Sequence, residues 1–151
     1  MVREYTPSDL EAVVSLFQRS VHEVASRDYS PTQISAWAPE HPDREAWARR
    51  LETSGVFVCE RKKQIVGFAR IDTEGLIDLL YVHPEFQRQG VARELFAEVC
   101  SWAERRGIVH LRSEVSITAR AFFESAGFRV VNPQVVERRG ASLSNFVMER
   151  H

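Results

Sequence analysis

Apolar side chains recur at helical spacing from the start of the chain. Leu10, Val13, Val14, Phe17, Val21 and Val24 fall on one stripe of a ~3.6-residue repeat. Thr6 is placed to cap this helix, Pro7 suits its first position, and Asp9 stands where a capping carboxylate is useful. Ser30-Pro31-Thr32-Gln33 repeats the cap, proline and acceptor pattern, and leads into Ile34, Trp37 and Ala38. Pro39 and Pro42 end that short helix. Asp43 caps a third, with Ala46, Trp47 and Leu51 on its apolar face and a stop before Gly55.

The period then changes. Val56-Phe57-Val58-Cys59 is β-rich, Arg61-Lys62-Lys63 is a polar turn, and Ile65–Ile71 and Leu76–Val82 give two further strands. These three predict an antiparallel meander. Helical spacing returns after Gly90 in Val91, Leu95, Phe96, Val99, Trp102 and Ala103, with Arg105, Arg106 and Gly107 suited to the helix end. Val109–Val115 reads as a strand and Thr118–Ala126 as a helix. Phe128–Val136 and Ala141–Met148 read as a closing hairpin. With an initial strand, the order is β-α-α-α, β-β-β, α-β, α-β-β. The expected fold is α/β (α+β): one mixed, mostly antiparallel central sheet of about six to seven strands with helices on both faces.

Composition narrows the function classes. The chain has 151 residues, 44% apolar and 27% charged, enough for one domain over 1–151 with a proper core. A net charge of −1 argues against a nucleic-acid grip by bulk electrostatics. Cys59 and Cys100 sit in apolar runs and read as core residues of a reducing compartment. No metal-ligand motif occurs among the scattered histidines, so no metal site is expected. No apolar run is long enough to span a membrane, and a cytoplasmic protein, monomer or homodimer, is expected.

The informative stretch runs from Leu79 to Ala92. A strand ends at His83-Pro84, passes a polar loop, and enters a helix at Gly90. A helix start leaves amide N–H groups unpaired and partly positive. Gly90 and Ala92 leave room for a ligand's phosphates to reach them, and Arg88 adds a charge. An ordinary strand-loop-helix connection with a solvated arginine is the alternative. His83 reads as a turn residue, and Arg138-Arg139 as a solvated basic pair.

Gln87-Arg88-x-Gly90-x-Ala92 resembles the Q/R-x-x-G-x-G/A signature of the GCN5-related N-acetyltransferase (GNAT) superfamily. Ala119 to Phe128 resembles its second signature, A-x-x-F-Y-x-x-x-G-F, in the matching order and spacing. Tyr29 to Trp37, and Glu137 to Ala141 through Asn145-Phe146, resemble the YafP-like bacterial subgroup. The resemblance implies an acetyl-CoA-dependent acyltransferase. Its cofactor contacts would be Leu80, Tyr81, Val82, Gln87, Arg88, Gln89, Gly90, Val91, Ala92, Ser116, Phe122 and Phe123. Tyr29 and Trp37 would lie over the acceptor amine, or pack as core.

Two positions depart from the family pattern. Ser116 stands where an asparagine is frequent, with a hydroxyl of shorter reach toward the pantetheine arm. Phe123 replaces the tyrosine that commonly protonates the leaving thiolate, and a phenyl ring donates no proton. Acetyl transfer from a thiol of pKa ~8.5 to an amine of pKa ~10.4 makes amine deprotonation the larger demand. Asp78, the ionisable side chain within Leu76–Val82, is the candidate base, with Glu114 in reserve and a paired structural aspartate as the alternative. Leu80 would supply a backbone N–H to polarise the thioester carbonyl. A CoA-binding sensor without turnover, or transfer of another acyl group or to a hydroxyl, are the rival functions.

Overall fold

Of the three predicted caps, Ser30 and Asp43 accept helix N–H groups through their side chains, whereas Thr6 is tied in through Asp9. In the computed structural model, which describes residues 1–151, Ser30 Oγ accepts the Gln33 N–H at 3.2 Å while Gln33 Oε1 accepts the Ser30 N–H at 2.8 Å. Asp9 Oδ2 accepts the Thr6 N–H at 2.9 Å, and a single 3-10 turn over Pro7–Asp9 precedes the first α-helix. After strand β1 (Val2–Glu4), the helices α1 (Leu10–Glu23), α2 (Pro31–Trp37) and α3 (Arg44–Leu51) follow. The meander is β2 (Val56–Arg61), β3 (Gln64–Ile71) and β4 (Ile77–Val82). The rest is α4 (Val91–Arg105), β5 (Leu111–Ser116), α5 (Arg120–Ser125) and the hairpin of β6 (Arg129–Arg138) and β7 (Ala141–Arg150).

The fold is mixed α/β, with its seven strands in two antiparallel sheets ordered β1-β2-β3-β4 and β5-β7-β6. The single central sheet expected from the sequence is therefore parted. Between β4 and β5 the ladder is reduced to one parallel bridge, Leu76 to Arg112, beside which Ser113 Oγ donates to the Ile77 carbonyl at 2.6 Å. Helices cover both faces of the first sheet. Val56, Val58, Phe68 and Leu79 pack against α1, α2 and α3, whereas Phe57, Cys59, Ala69 and Ile71 pack against α4. Burial on both faces explains why β2 reads as an unbroken apolar run instead of an alternating one.

Two local departures matter for the site. Val109, expected in a strand, is 80% exposed, and β5 begins at Leu111. In β4, Ile77 pairs with Ile71 and Leu79 with Arg70, so Asp78 is an extra residue without a partner, a bulge. No helix is long and apolar enough to cross a membrane.

Candidate active site

The loop after β4 turns through two left-handed residues, Arg88 (φ 59°) and Gly90 (φ 82°). Such a conformation is strained for arginine and easy for glycine. Gly90 caps α4 without a side-chain bond, and the first helical bond runs from the Glu94 N–H to the Gly90 carbonyl at 3.0 Å. The N–H groups of Val91, Ala92 and Arg93 therefore have no intrahelical acceptor. The loop is braced from within. Gln87 Nε2 donates to the Val82 carbonyl at 2.9 Å, Gln89 Nε2 to the Glu85 carbonyl at 3.3 Å, and Arg61 to the Gln89 carbonyl at 3.0 Å. The Gln87 side chain, expected among the ligand contacts, thus holds the loop to β4. His83 is a buried turn residue whose Nδ1 accepts the Glu85 N–H at 3.1 Å and whose Nε2 lies 2.9 Å from Arg19.

The register of β4 sets which amides are free. The His83 N–H bonds to the Val66 carbonyl at 2.8 Å. Antiparallel pairs alternate, so Leu80 opposite Ala69 and Val82 opposite Gly67 fall at non-bonded positions and direct their N–H and C=O groups away from β3. The Gln87 bond to the Val82 carbonyl agrees with this phase. Because β5 has left β4 by this point, the Leu80 and Val82 amides open into the gap between the sheets, at the α4 end.

A cavity of about 480 Å³ occupies that gap, lined from α2, α3, β4, β5 and β7, with Leu80, Ser116 and Phe123 among its residues. Asp78 lines it, and the pairing given as the alternative to a base is present. Its Oδ2 accepts from Arg70 at 2.6 Å and Arg50 at 3.2 Å, from β3 and α3. Its Oδ1 is buried and has no partner; the same holds for Asn145 Oδ1 on β7, which also lines the cavity. Glu114 is exposed, with Oε1 accepting from Gln134 at 2.7 Å. Arg139, read as solvated, is exposed and also donates to the Ala36 carbonyl at 2.7 Å.

Aromatic rings form the cavity wall. The Tyr81 ring stacks on Phe68 (centroids 5.5 Å, planes 25° apart) and meets Phe17 edge-on at 5.0 Å, so its side chain belongs to the cavity wall and not to the α4 loop. Burial pushes the Tyr81 phenol up to about 12, so it stays protonated. Trp37 lies edge-on to Tyr29 at 5.4 Å and is partly exposed. Tyr29 lines the cavity as well, and of the two readings offered for it, acceptor contact or packing, the packing is evident. It is buried, and its hydroxyl donates to the Ser144 carbonyl at 2.6 Å and accepts the Ile117 N–H at 3.0 Å. Burial raises its pKa, which keeps that bridge intact.

Ser116 Oγ accepts the Ala119 N–H at 3.1 Å, which leaves its own proton to donate. Phe123 is 3% exposed and packs edge-on against Phe122 and Phe128 at 5.8 and 5.1 Å. No hydroxyl occupies that position. Sequence reasoning found no role for Arg50 and Asn145, which line the cavity, or for Arg70, which reaches Asp78 from β3. Only a bulge and a diverging pair of strands bring them together.

Comparison with known proteins agrees with this geometry. The family model described as an acetyltransferase (GNAT) domain matches residues 25–150. The Escherichia coli K12 protein named uncharacterized N-acetyltransferase YafP is 42% identical over 148 residues, covering 97% of this chain and 93% of the relative. A GCN5-related N-acetyltransferase from Rhodopseudomonas palustris superposes with a TM-score of 0.95 at 29% identity, over 99% of this chain and 94% of that one. The PaiA N-acetyltransferase of Thermoplasma acidophilum, solved in complex with coenzyme A, shares the fold at a TM-score of 0.80 and 20% identity, over 99% and 97%. With its two motifs flanking the split between the sheets, the chain belongs to the GCN5-related N-acetyltransferase family of acyltransferases.

Proposed function

We propose that this protein transfers an acetyl group from acetyl-CoA to the amine of a small molecule or peptide, by direct attack with both substrates bound. The observation that carries the reading is the pair of polar sets facing one gap. Donors without acceptors lie on the α4 side, and acceptors without donors lie on the cavity side. The unpaired amides at the start of α4, with the exposed Arg88, suit a pyrophosphate. Acetyl-CoA, when bound, supplies a thioester carbonyl as the electrophile. The Leu80 N–H is the donor that would polarise that carbonyl, because β4 leaves it without a strand partner.

On the acceptor side, Asp78 Oδ1 and Asn145 Oδ1 need hydrogen-bond donors, which an amine carries and an ester or ether does not. Asp78 would receive the amine proton through Oδ1 while Arg50 and Arg70 fix the carboxylate through Oδ2. Glu114, exposed and engaged by Gln134, is the reserve. Neither Cys59, fully buried, nor Cys100 stands in the cofactor loop, which supports direct attack over a covalent acetyl-cysteine.

The buried phenyl ring of Phe123 favours one second reading, a CoA-binding sensor without turnover. A CoA-release assay against a panel of amines separates the two, with calorimetry of acetyl-CoA binding in parallel. The expected result is binding together with amine-dependent CoA release. Gly90→Val places a β-branched residue at φ 82° and is expected to weaken acetyl-CoA binding strongly with the fold retained. Binding without release for any amine selects the sensor, and unchanged affinity in Gly90→Val overturns the assignment of the loop.

A further inference from the structure

Away from the cavity, His110, Glu149 and His151 meet at the end of β5 opposite Ser116. Their candidate ligand atoms all lie within 4.8 Å of one another. His110 Nε2 stands 3.4 Å from Glu149 Oε1, and His151 Nε2 stands 4.0 Å from Glu149 Oε2. The two imidazoles lie parallel, with centroids 4.3 Å apart and planes 5° apart. His110 Nε2 is shielded from solvent and makes no hydrogen bond. A buried ring nitrogen without a partner is rare in a folded protein and points to a missing one.

We propose that these three side chains form a binding site for a divalent transition-metal ion of the zinc class, with water in the fourth position. Two imidazole nitrogens and one carboxylate oxygen are the donors that such borderline ions take, whereas magnesium and calcium take oxygen alone. Bonds of roughly 2.0–2.2 Å in a tetrahedron set ligand atoms roughly 3.3–3.5 Å apart. The His110–Glu149 pair already has that spacing. Two parallel rings cannot both point a nitrogen at one ion, so His151, whose side chain is 63% exposed, has to turn out of the stack and close its 4.0 Å distance to Glu149.

The two inner ligands are held by the backbone. Gly75 lies so close to the His110 carbonyl that a Cβ would stand 2.2 Å from it, and the Arg112 N–H bonds to the Gly75 carbonyl at 3.0 Å. Glu149 sits opposite Arg112 in β5 and Arg129 in β6, yet the side chains within 4.0 Å of its carboxylate oxygens are the two histidines. Those arginines oppose a cation, so the affinity rests on the donor set and not on net charge. The ion takes neutral imidazoles and releases any protons they carry, so apparent affinity falls in acid. Bound there, it would clamp the end of β7 onto the start of β5.

Titration of the untagged chain with zinc chloride by calorimetry, and with cobalt(II) followed by its visible absorption, tests the site. The expected result is one ion per chain, a tetrahedral cobalt spectrum, a rise in Tm with zinc, and no response to magnesium. His151→Ala and Glu149→Gln are each expected to weaken zinc binding by at least about tenfold with an unchanged far-UV spectrum. His22→Ala, on α1, is expected to bind as the parent does. No binding by the parent chain, or binding that survives both substitutions, overturns the proposal.

Discussion

Gly67 of β3 lies directly under Val91, the first residue of α4: a Cβ added at Gly67 would stand 2.6 Å from Val91 Cγ1 and 2.9 Å from Leu95 Cδ1. The missing side chain lets the helix start settle on the sheet beside the end of β4. Gly67→Ala therefore has to lift the first turn of α4 or deform β3. We expect a stability loss of about 1–3 kcal/mol, from overpacking, together with weaker acetyl-CoA binding because the N–H groups of α4 move with the turn. Thermal unfolding and calorimetry measure both, and an unchanged affinity would separate the helix position from cofactor binding.

Asp78→Asn keeps the shape of the side chain and removes proton acceptance. Turnover is expected to fall by ~10²–10⁴ with acetyl-CoA affinity retained. A near-parent rate moves the role to Glu114, where Glu114→Gln is the matching variant.

Phe123 supplies packing and no proton. Phe123→Tyr is expected to change turnover by less than about tenfold, or ~1.4 kcal/mol. Phe123→Ala is expected to cost about 3–5 kcal/mol of stability, since the ring is buried among Phe122 and Phe128. A large rate gain in the tyrosine variant would show that the natural protein lacks a needed acid.

Asp9 ties the first helix to β1. Arg3 donates to both carboxylate oxygens at 2.9 Å, and this bond, with the Thr6 N–H, holds the Asp9 carboxyl below its usual range. A lowered folded-state pKa means stability that is fully present above about pH 4 and lost as pH falls through the folded value. Asp9→Asn is expected to lower Tm at pH 7, with the gap to the parent closing as pH drops below about 4. Melting curves across that range check it, and a gap that stays constant with pH would remove Asp9 from the acid response.

The apolar stripe of Leu10 to Val24, the caps at Ser30 and Asp43, and the run Val56–Cys59 determined the elements, because helix and strand periods are local properties of the chain. The two motifs were likewise legible, since backbone amides at a helix start need only glycine and a small residue at fixed offsets. Other features belong to no local pattern. The split between the sheets exists because β4 and β5 share one bridge and then diverge, and the bulge at Asp78 brings its carboxylate to Arg50 on α3. Sequence reasoning allowed a paired Asp78 as an alternative but had no means of naming Arg50 or Arg70 as the partners. The meeting of His110 and Glu149 was equally hidden, because they are far apart along the chain, one just before β5 and one in β7, and only the β5–β7 register sets them side by side. Spacing along the chain fixes what a segment becomes, and pairing between distant strands fixes which side chains meet.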